Sequence, residues 1–243
     1  MLQICVQARL VNTLLDQLLP DSCVLCDQVT IPARATRLCD SCQRALPYNQ
    51  PSCTHCALPL PSDRHSVCGP CQKSPVPVDR CVVPLLHDEL TQYLVHRLKF
   101  HKGFREAHSL GAIIADAVAR DYANDDVPQL LIPVPLAYWK AVKRGYNQSY
   151  ELAKRVGRQL DIRVAANAVA RRPGPSQRDL SRTERRRLKL QTFRIRRPIR
   201  AIHVAIIDDV MTTGTTVSTL AKVLRASGVE RVDAWCATRA VLS

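Results

Sequence analysis

Two adjacent carboxylates, Asp208 and Asp209, close an apolar run made of Val204, Ala205, Ile206 and Ile207. A loop of small hydroxylated residues follows, Thr212, Thr213, Gly214, Thr215 and Thr216. Val217, Leu220, Val223 and Leu224 then recur at helical spacing. A short buried strand, an acidic tip, a small-residue loop and a helix start offer unpaired amide N–H groups and a positive dipole end, which suit a phosphate. The threonine hydroxyls add donors, and Gly214 permits close backbone approach or positive φ. Carboxylates beside a phosphate cradle suit hydroxyls or a metal ion, so a phosphorylated sugar satisfies both halves at once. An isolated Thr-Gly loop reads more simply as a capped βα turn; the whole ordered string favours the phosphosugar. No G-x-G-x-x-G and no Gly-Lys-Ser/Thr occurs.

The second chemical pattern is made of cysteines. Eight of the eleven form four C-x-x-C knuckles, Cys23/Cys26, Cys39/Cys42, Cys53/Cys56 and Cys68/Cys71. Two knuckles place four thiolates around one tetrahedral Zn²⁺, and four suffice for two sites. Sequential pairing gives two short ribbons, while the spacing also leaves an interleaved pairing open. His55 and His65 are spare ligands that eight cysteines make unnecessary. Four-thiolate sites leave no open position for chemistry, so the zinc is read as structural. The segment is Pro-rich with few large apolar residues, and metal binding would supply much of its folding free energy. Cys5, Cys81 and Cys236 are isolated and read as small buried residues.

The elements that must carry these groups follow from periodicity and charge. At 243 residues, with 46% hydrophobic and 5% aromatic content, the chain can hold one ordinary domain and a small appendage. Net charge is +14, and residues 171–200 contribute most of it, with twelve Arg/Lys against Asp179 and Glu184. Such a balance attracts anionic partners. Leu10, Leu14 and Leu18 predict an amphipathic helix over residues 1–20, too interrupted by polar residues for a signal peptide or a membrane span. A reducing cytoplasm is therefore expected, consistent with cysteines used as ligands.

Residues 73–80 read as a linker stiffened by Pro75 and Pro77. Residues 81–86 predict a strand that tolerates Pro84 only at an edge. Helical spacing through Leu90, Leu94 and Leu98 predicts a helix stopped at Gly103, and a second helix covers residues 107–122. Residues 129–134 predict a strand. Lys140, Lys143, Arg144 and Gly145 then form a basic loop before a helix through Leu152, Val156 and Leu160, another anion site. Residues 162–170 and 231–238 predict two more strands. Between them Ser181 and Glu184 make a capping box that starts a short helix carrying Arg185, Arg186 and Arg187. That Arg-rich stretch reads either as an active-site lid or as a nucleic-acid phosphate contact. Strands alternating with helices imply a mostly parallel sheet flanked by helices, with ligands at the strands' carboxyl ends.

The string around Asp208 resembles the ribose-phosphate loop of type I phosphoribosyltransferases. The paired knuckles, Leu98-Lys99-Phe100, Pro133-Val134-Pro135, Arg144-Gly145-Tyr146-Asn147-Gln148, Gln177 with Leu180-Ser181-Arg182-Thr183-Glu184-Arg185, and Phe193 extend the likeness over nearly the full length. Together they resemble the ComF/GntX family. One departure is visible: members commonly carry an Asn shortly after the Glu-Arg pair, where Leu188 or Lys189 stands here.

The resemblance implies an α/β type I phosphoribosyltransferase fold over residues 81–243 and a small N-terminal zinc-ribbon module with four-cysteine sites over residues 21–72. It implies that Asp208 and Asp209 hold the ribose hydroxyls of phosphoribosyl pyrophosphate (PRPP), and that Thr212, Thr213, Gly214, Thr215 and Thr216 wrap its 5′-phosphate. Lys143, Arg144 and Gly145 would grip the pyrophosphate, with Mg²⁺ bridging pyrophosphate and ribose oxygens. Arg171, Arg172, Gln177, Arg182 and Arg185 would belong to a lid. Some purine-salvage relatives carry a carboxylate where Thr212 stands, so no general base is identified. The implied role lies in competence or DNA utilisation. A phosphoribosyltransferase with an unknown acceptor, a PRPP sensor without turnover, and a factor that handles single-stranded DNA or joins other competence proteins all remain open.

Overall fold

The computed structural model describes residues 21–30, 36–101, 103–172 and 192–241, the side chains of residues 21, 29, 30 and 138–140 excepted. The helix expected over residues 1–20, the capping-box helix, and Gln177, Arg182 and Arg185 lie outside the described residues.

The cysteine-rich region comes first and holds little regular structure. Strands β1 (Asp21–Ser22) and β2 (Val29–Thr30) form an antiparallel ribbon around the first knuckle. Two short helices, α1 (Asp40–Ala45) and α2 (Gly69–Lys73), carry Cys42 and Cys71.

Apolar strands buried on both faces need a covering layer on each side, and this chain supplies two. Strand β9 (His203–Met211) lies centrally, paired in parallel with β10 (Arg231–Arg239) and with β5 (Leu130–Pro133). The sheet runs β3 (Cys81–Val82), β10, β9, β5, β6 (Arg163–Val164), and β4 (Leu85–Leu86) also pairs with β10. Every pairing in it is parallel. Pro84 falls between β3 and β4 on the outer edge, where a missing N–H costs no ladder bond. A separate antiparallel ribbon joins β7 (Val169–Arg171) to β8 (Phe193–Ile195). The strand expected over residues 162–170 is therefore two strands in two sheets, because the turn at residues 165–168 redirects the chain.

One core packs helices α3 (Glu89–Phe100), α4 (Phe104–Asp121) and α6 (Gln148–Leu160) against Ala205, Ile207, Trp235 and Ala237. The other packs α7 (Thr215–Ala226) against Val204, Ile206, Val232, Ala234 and Cys236. Each core also takes in part of the cysteine-rich region: Cys23, Val24 and Leu38 join the first, and Cys53, Cys56, Cys68 and Cys71 the second. No described helix is long and apolar enough to cross a membrane.

At the amino ends of β9 and β10, a buried polar network fixes the two strands. His203 Nε2 and Asp233 Oδ2 are 2.5 Å apart, Tyr122 donates to the same oxygen at 2.7 Å, and Trp235 Nε1 donates to the Tyr122 hydroxyl at 3.3 Å. The carboxyl ends, left for ligands, carry the candidate site.

The helix expected to stop at Gly103 ends at Phe100, with His101 as its C-cap. At φ −67° Gly103 is the N-cap of α4, in the elbow after α3. A Cβ there would lie 2.7 Å from Leu98 Cα and 2.8 Å from the Arg97 carbonyl carbon, so only glycine lets the two helices turn this tightly. Gly103→Ala should destabilise the protein by roughly 1–3 kcal/mol through this overpacking. A melting curve matching wild type would count against the close approach.

Candidate functional site

The acidic pair is not a strand terminus. β9 continues through Asp208 and Asp209 to Met211 because β10 keeps supplying backbone partners, from Cys236 opposite Asp208 to Arg239 opposite Met211. The alternation of a regular strand reverses at the pair: Val210 packs with the core of Ile207, and Met211 with that of Ile206. Both carboxylates are buried, Asp208 at 9% exposure and Asp209 at 5%. Burying them costs free energy unless partners answer the charge.

The partners come from three directions. Ser149, at the start of α6, donates its hydroxyl to Asp208 Oδ1 at 3.0 Å, and the Asp209 N–H donates to the same oxygen at 2.9 Å. Lys99 Nζ, near the end of α3, stands 2.9 Å from Asp209 Oδ2. That oxygen has no other hydrogen-bond partner among the described residues. Burial first, and the Asp209 charge second, push the Asp208 carboxyl up to about 7 from an ordinary 3.8. Beyond Asp209, His87 Nδ1 meets the Thr238 hydroxyl at 3.0 Å, and Thr238 Oγ1 donates to the Asp209 carbonyl at 3.4 Å. Burial, and Lys99 after it, hold His87 below its ordinary value.

The threonine loop matches its expected shape. Gly214 has φ 71° and precedes α7, which begins at Thr215. Thr212, Thr213 and Thr215 are exposed and Thr216 half-exposed. Thr213 Oγ1 and Thr215 Oγ1 are 2.8 Å apart, so their hydroxyls converge at the helix start. The first amides of such a helix have no intrahelical acceptor and face the same space.

The basic segment differs from the open loop expected. Tyr138–Arg144 forms a short helix, α5, and Gly145 caps it at φ 75°. The Gly145 N–H is engaged at 2.8 Å by the Ala141 carbonyl, so it is not free to meet an anion. Arg144 donates to Gln148 Oε1 at 2.7 Å and lies 5.3 Å from the Phe100 ring centroid. The Tyr146 hydroxyl donates to the Leu98 carbonyl, directly before Lys99. Two motifs far apart in sequence, Leu98-Lys99-Phe100 and Arg144-Gly145-Tyr146-Asn147-Gln148, thus meet at the acidic pair. Arg171 stacks near Phe193, centroid distance 5.7 Å, and lies on the β7–β8 ribbon with Arg172 just beyond its end. Lys99, Ser149 and His87 are not among the site residues that local sequence patterns single out. Only the Leu98-Lys99-Phe100 block offered a signal for one of them.

The knuckles pair sequentially. The ligand atoms of Cys23, Cys26, Cys39 and Cys42, and of Cys53, Cys56, Cys68 and Cys71, lie within 4.8 Å of one another in each set. His55 instead meets the Val78 carbonyl, and His65 is exposed. In each set one thiolate is prepared. Burial opposes the Cys53 thiolate, but the N–H groups of Cys68, His55 and Cys56 outweigh it and bring Cys53 to about 7. Burial likewise opposes the Cys23 thiolate, and the N–H groups of Cys39, Leu25 and Cys26 bring Cys23 to about 6. Four sulfurs at this spacing, with backbone donors aimed at one of them, fit structural Zn²⁺. Cys81 and Cys236 are buried single thiols, as expected.

Known proteins resemble this chain in part and over nearly its whole length. Residues 14–72 match the double zinc ribbon domain. The chain is 33% identical over 223 residues to the DNA utilization protein YhgH of Escherichia coli, covering 90% of this chain and 97% of that protein. It is 33% identical over 209 residues to competence protein F of Haemophilus influenzae, covering 84% and 90%. A purine phosphoribosyltransferase from Pyrococcus horikoshii superposes on 62% of the chain and 82% of its own, with TM-score 0.31 and 16% identity.

The raised Asp208 value has a consequence for stability. Between pH 3.8 and about 7 the folded chain holds a proton that the unfolded chain has released. The contribution is therefore full below the unfolded value and is lost as pH rises through the folded one. Asp208→Asn should melt higher than wild type at pH 8, with the difference vanishing towards pH 4. Thermal unfolding of the ligand-free proteins across that range tests this, and a pH-independent difference would refute it.

Proposed function

The chain belongs to the family of the DNA utilization protein YhgH and competence protein F, and on that premise we propose that it binds PRPP and transfers its phosphoribosyl group. The observation that carries the reading is the buried acidic pair, answered by Lys99 and Ser149, at the mouth of a hydroxyl-lined helix start. Asp208 and Asp209 accept hydrogen bonds from the ribose 2′- and 3′-hydroxyls. Thr212, Thr213, Gly214, Thr215 and Thr216 enclose the 5′-phosphate with amides and hydroxyls. Lys143 and Arg144 face the pyrophosphate.

In the reaction, the bond from C1 to the pyrophosphate oxygen breaks with its electron pair leaving on pyrophosphate. The acceptor's nucleophile forms the new bond at C1. Positive charge develops on the ribose ring, so the carboxylates beside it stabilise the transition state by position and charge. Mg²⁺ bound with PRPP would supply neutralisation of the leaving group, consistent with its preference for phosphates and few protein ligands. Thr212 in place of a carboxylate supports the alternative of a PRPP sensor without turnover. Metal-bound thiols support residence in a reducing cytoplasm.

Calorimetric titration tests the reading. PRPP should bind only with Mg²⁺, more tightly at pH 8 than at pH 6 because Asp208 must ionise, and at least about tenfold more weakly in Asp209→Asn, the loss expected for one charge-assisted hydrogen bond. Absence of Mg²⁺-dependent binding would sink it. Pyrophosphate release with an acceptor separates the enzyme from the sensor.

A second reading has its own observation. Arg171, Arg194 and Arg196 line a groove of about 620 Å³ beside Asn147 and Tyr150. Arginines and a tyrosine lining one groove support contact with single-stranded DNA. Each phosphate contact steepens the salt dependence of binding by about 0.7 on logarithmic axes. Arg194→Gln with Arg196→Gln should therefore flatten the slope measured by fluorescence anisotropy, and an unchanged slope would exclude this groove.

A further inference from the structure

Arg239 is a buried cation without a carboxylate partner among the described ion pairs, at the carboxyl end of β10. The acceptors described for its Nε and Nη1 are all backbone carbonyls. Nε donates to the Cys56 carbonyl at 2.8 Å. Nη1 donates to the Thr212 carbonyl at 2.6 Å, to the Met211 carbonyl at 3.2 Å, and to the Ala240 carbonyl. One guanidinium thus joins a ligand residue of the second cysteine cluster to the first residues of the threonine loop.

Two further contacts run the same way. Cys81 is tied to the cluster through its N–H, which donates to the Thr54 carbonyl at 2.7 Å. Its Sγ then meets Met211 Sδ at 3.4 Å. Val76, just after the last knuckle, approaches Gly214 from below, 3.5 Å from where a Cβ would stand, and Met211 Cε lies 3.0 Å from the same point. The underside of the threonine loop therefore rests on the second cluster and the chain leaving it. The first cluster is tied elsewhere: Arg105 of α4 donates to the Ser22 hydroxyl at 2.9 Å.

We propose that Arg239 is a positioning residue through which the metal-loaded second cluster holds the threonine loop in its ligand-ready shape. The carbonyl of Cys56 points at Arg239 only while the knuckle keeps its fold, with Ala57 at φ 51° and the Ala57 N–H bonded to the Cys53 carbonyl at 2.7 Å. Release of the metal removes the constraint on residues 53–57 and loosens the grip on the Thr212 carbonyl. Zinc in this protein then governs phosphate-loop geometry, and loss of metal from the second cluster lowers ligand affinity without touching a ligand contact. The part concerning affinity rests on the PRPP reading above.

The chain contains two methionines, Met1 and Met211, so ¹³C-methyl labelling of methionine yields one probe directly beneath the loop. The experiment uses the full zinc-loaded chain, with Arg239→Leu and Arg239→Lys, neither of which adds a methionine. Lysine keeps the charge but cannot span both sets of carbonyls. Both variants should retain the wild-type zinc content while the Met211 methyl signal shifts or broadens. PRPP with Mg²⁺ should bind about tenfold more weakly in Arg239→Leu, the loss expected when one hydrogen bond from the displaced loop to the charged phosphate is no longer made, with partial recovery in Arg239→Lys. Stripping zinc from the wild-type chain with a chelator should move the same methyl signal. If Arg239→Leu does not fold, the lysine variant and the chelator titration carry the test. An unmoved Met211 signal in the zinc-loaded variants, or on zinc removal, overturns the proposal. If wild type fails to bind PRPP yet the Met211 signal responds, the ligand reading falls and the coupling stands.

Discussion

Two adjacent carboxylates buried in the central strand of a parallel sheet impose the demand that the surrounding structure meets. Ionised side chains in such a place are tolerated only with paired charge and hydrogen bonds. Lys99 arrives at the end of α3, Ser149 at the start of α6, and the backbone of β9 folds its own amides onto the pair. Those helix ends are in turn held to one another. Tyr146 reaches back to the Leu98 carbonyl, Arg144 lies against Phe100, and the elbow at Gly103 admits no side chain. Asp208 still sits well above the ordinary carboxylate range, so burial and the neighbouring Asp209 charge leave a cost that these partners do not remove.

The opposite end of the same strands solves a similar problem differently. Asp233 is fully buried but surrounded by His203, Tyr122 and, at 3.6 Å, Arg231. That end is closed, while the carboxyl end is lined by exposed threonines. The division follows the rule that ligands of parallel α/β sheets gather beyond the strands' carboxyl ends.

The cysteine clusters are part of the main cores as well as metal sites. A segment with so few large apolar residues gains from zinc an apparent contribution of about 10–16 kcal/mol per structural site. The second cluster then lends its buried sulfurs to the core of α7, and its Cys56 carbonyl to Arg239. A module that looks like an appendage in sequence is the floor of the loop it precedes by well over a hundred residues.

Much of this was legible in one dimension. The C-x-x-C spacing announced structural metal binding, with ligands enough for two sites, because ligand geometry is local to each knuckle. The Thr-Gly loop announced a helix start because capping and positive φ are local as well. The alternation of apolar runs announced a parallel sheet with two covered faces, since burial on both sides leaves no polar positions. What the sequence could not decide were contacts between residues distant along the chain. The sequential pairing of knuckles, the passage of β9 through the acidic pair, and the partnership of Lys99 with Asp209 depend on how helices close over the sheet. So does Arg239, whose type and neighbours give no hint of four carbonyl partners. Local rules determined which groups are present; packing alone decided which of them face one another.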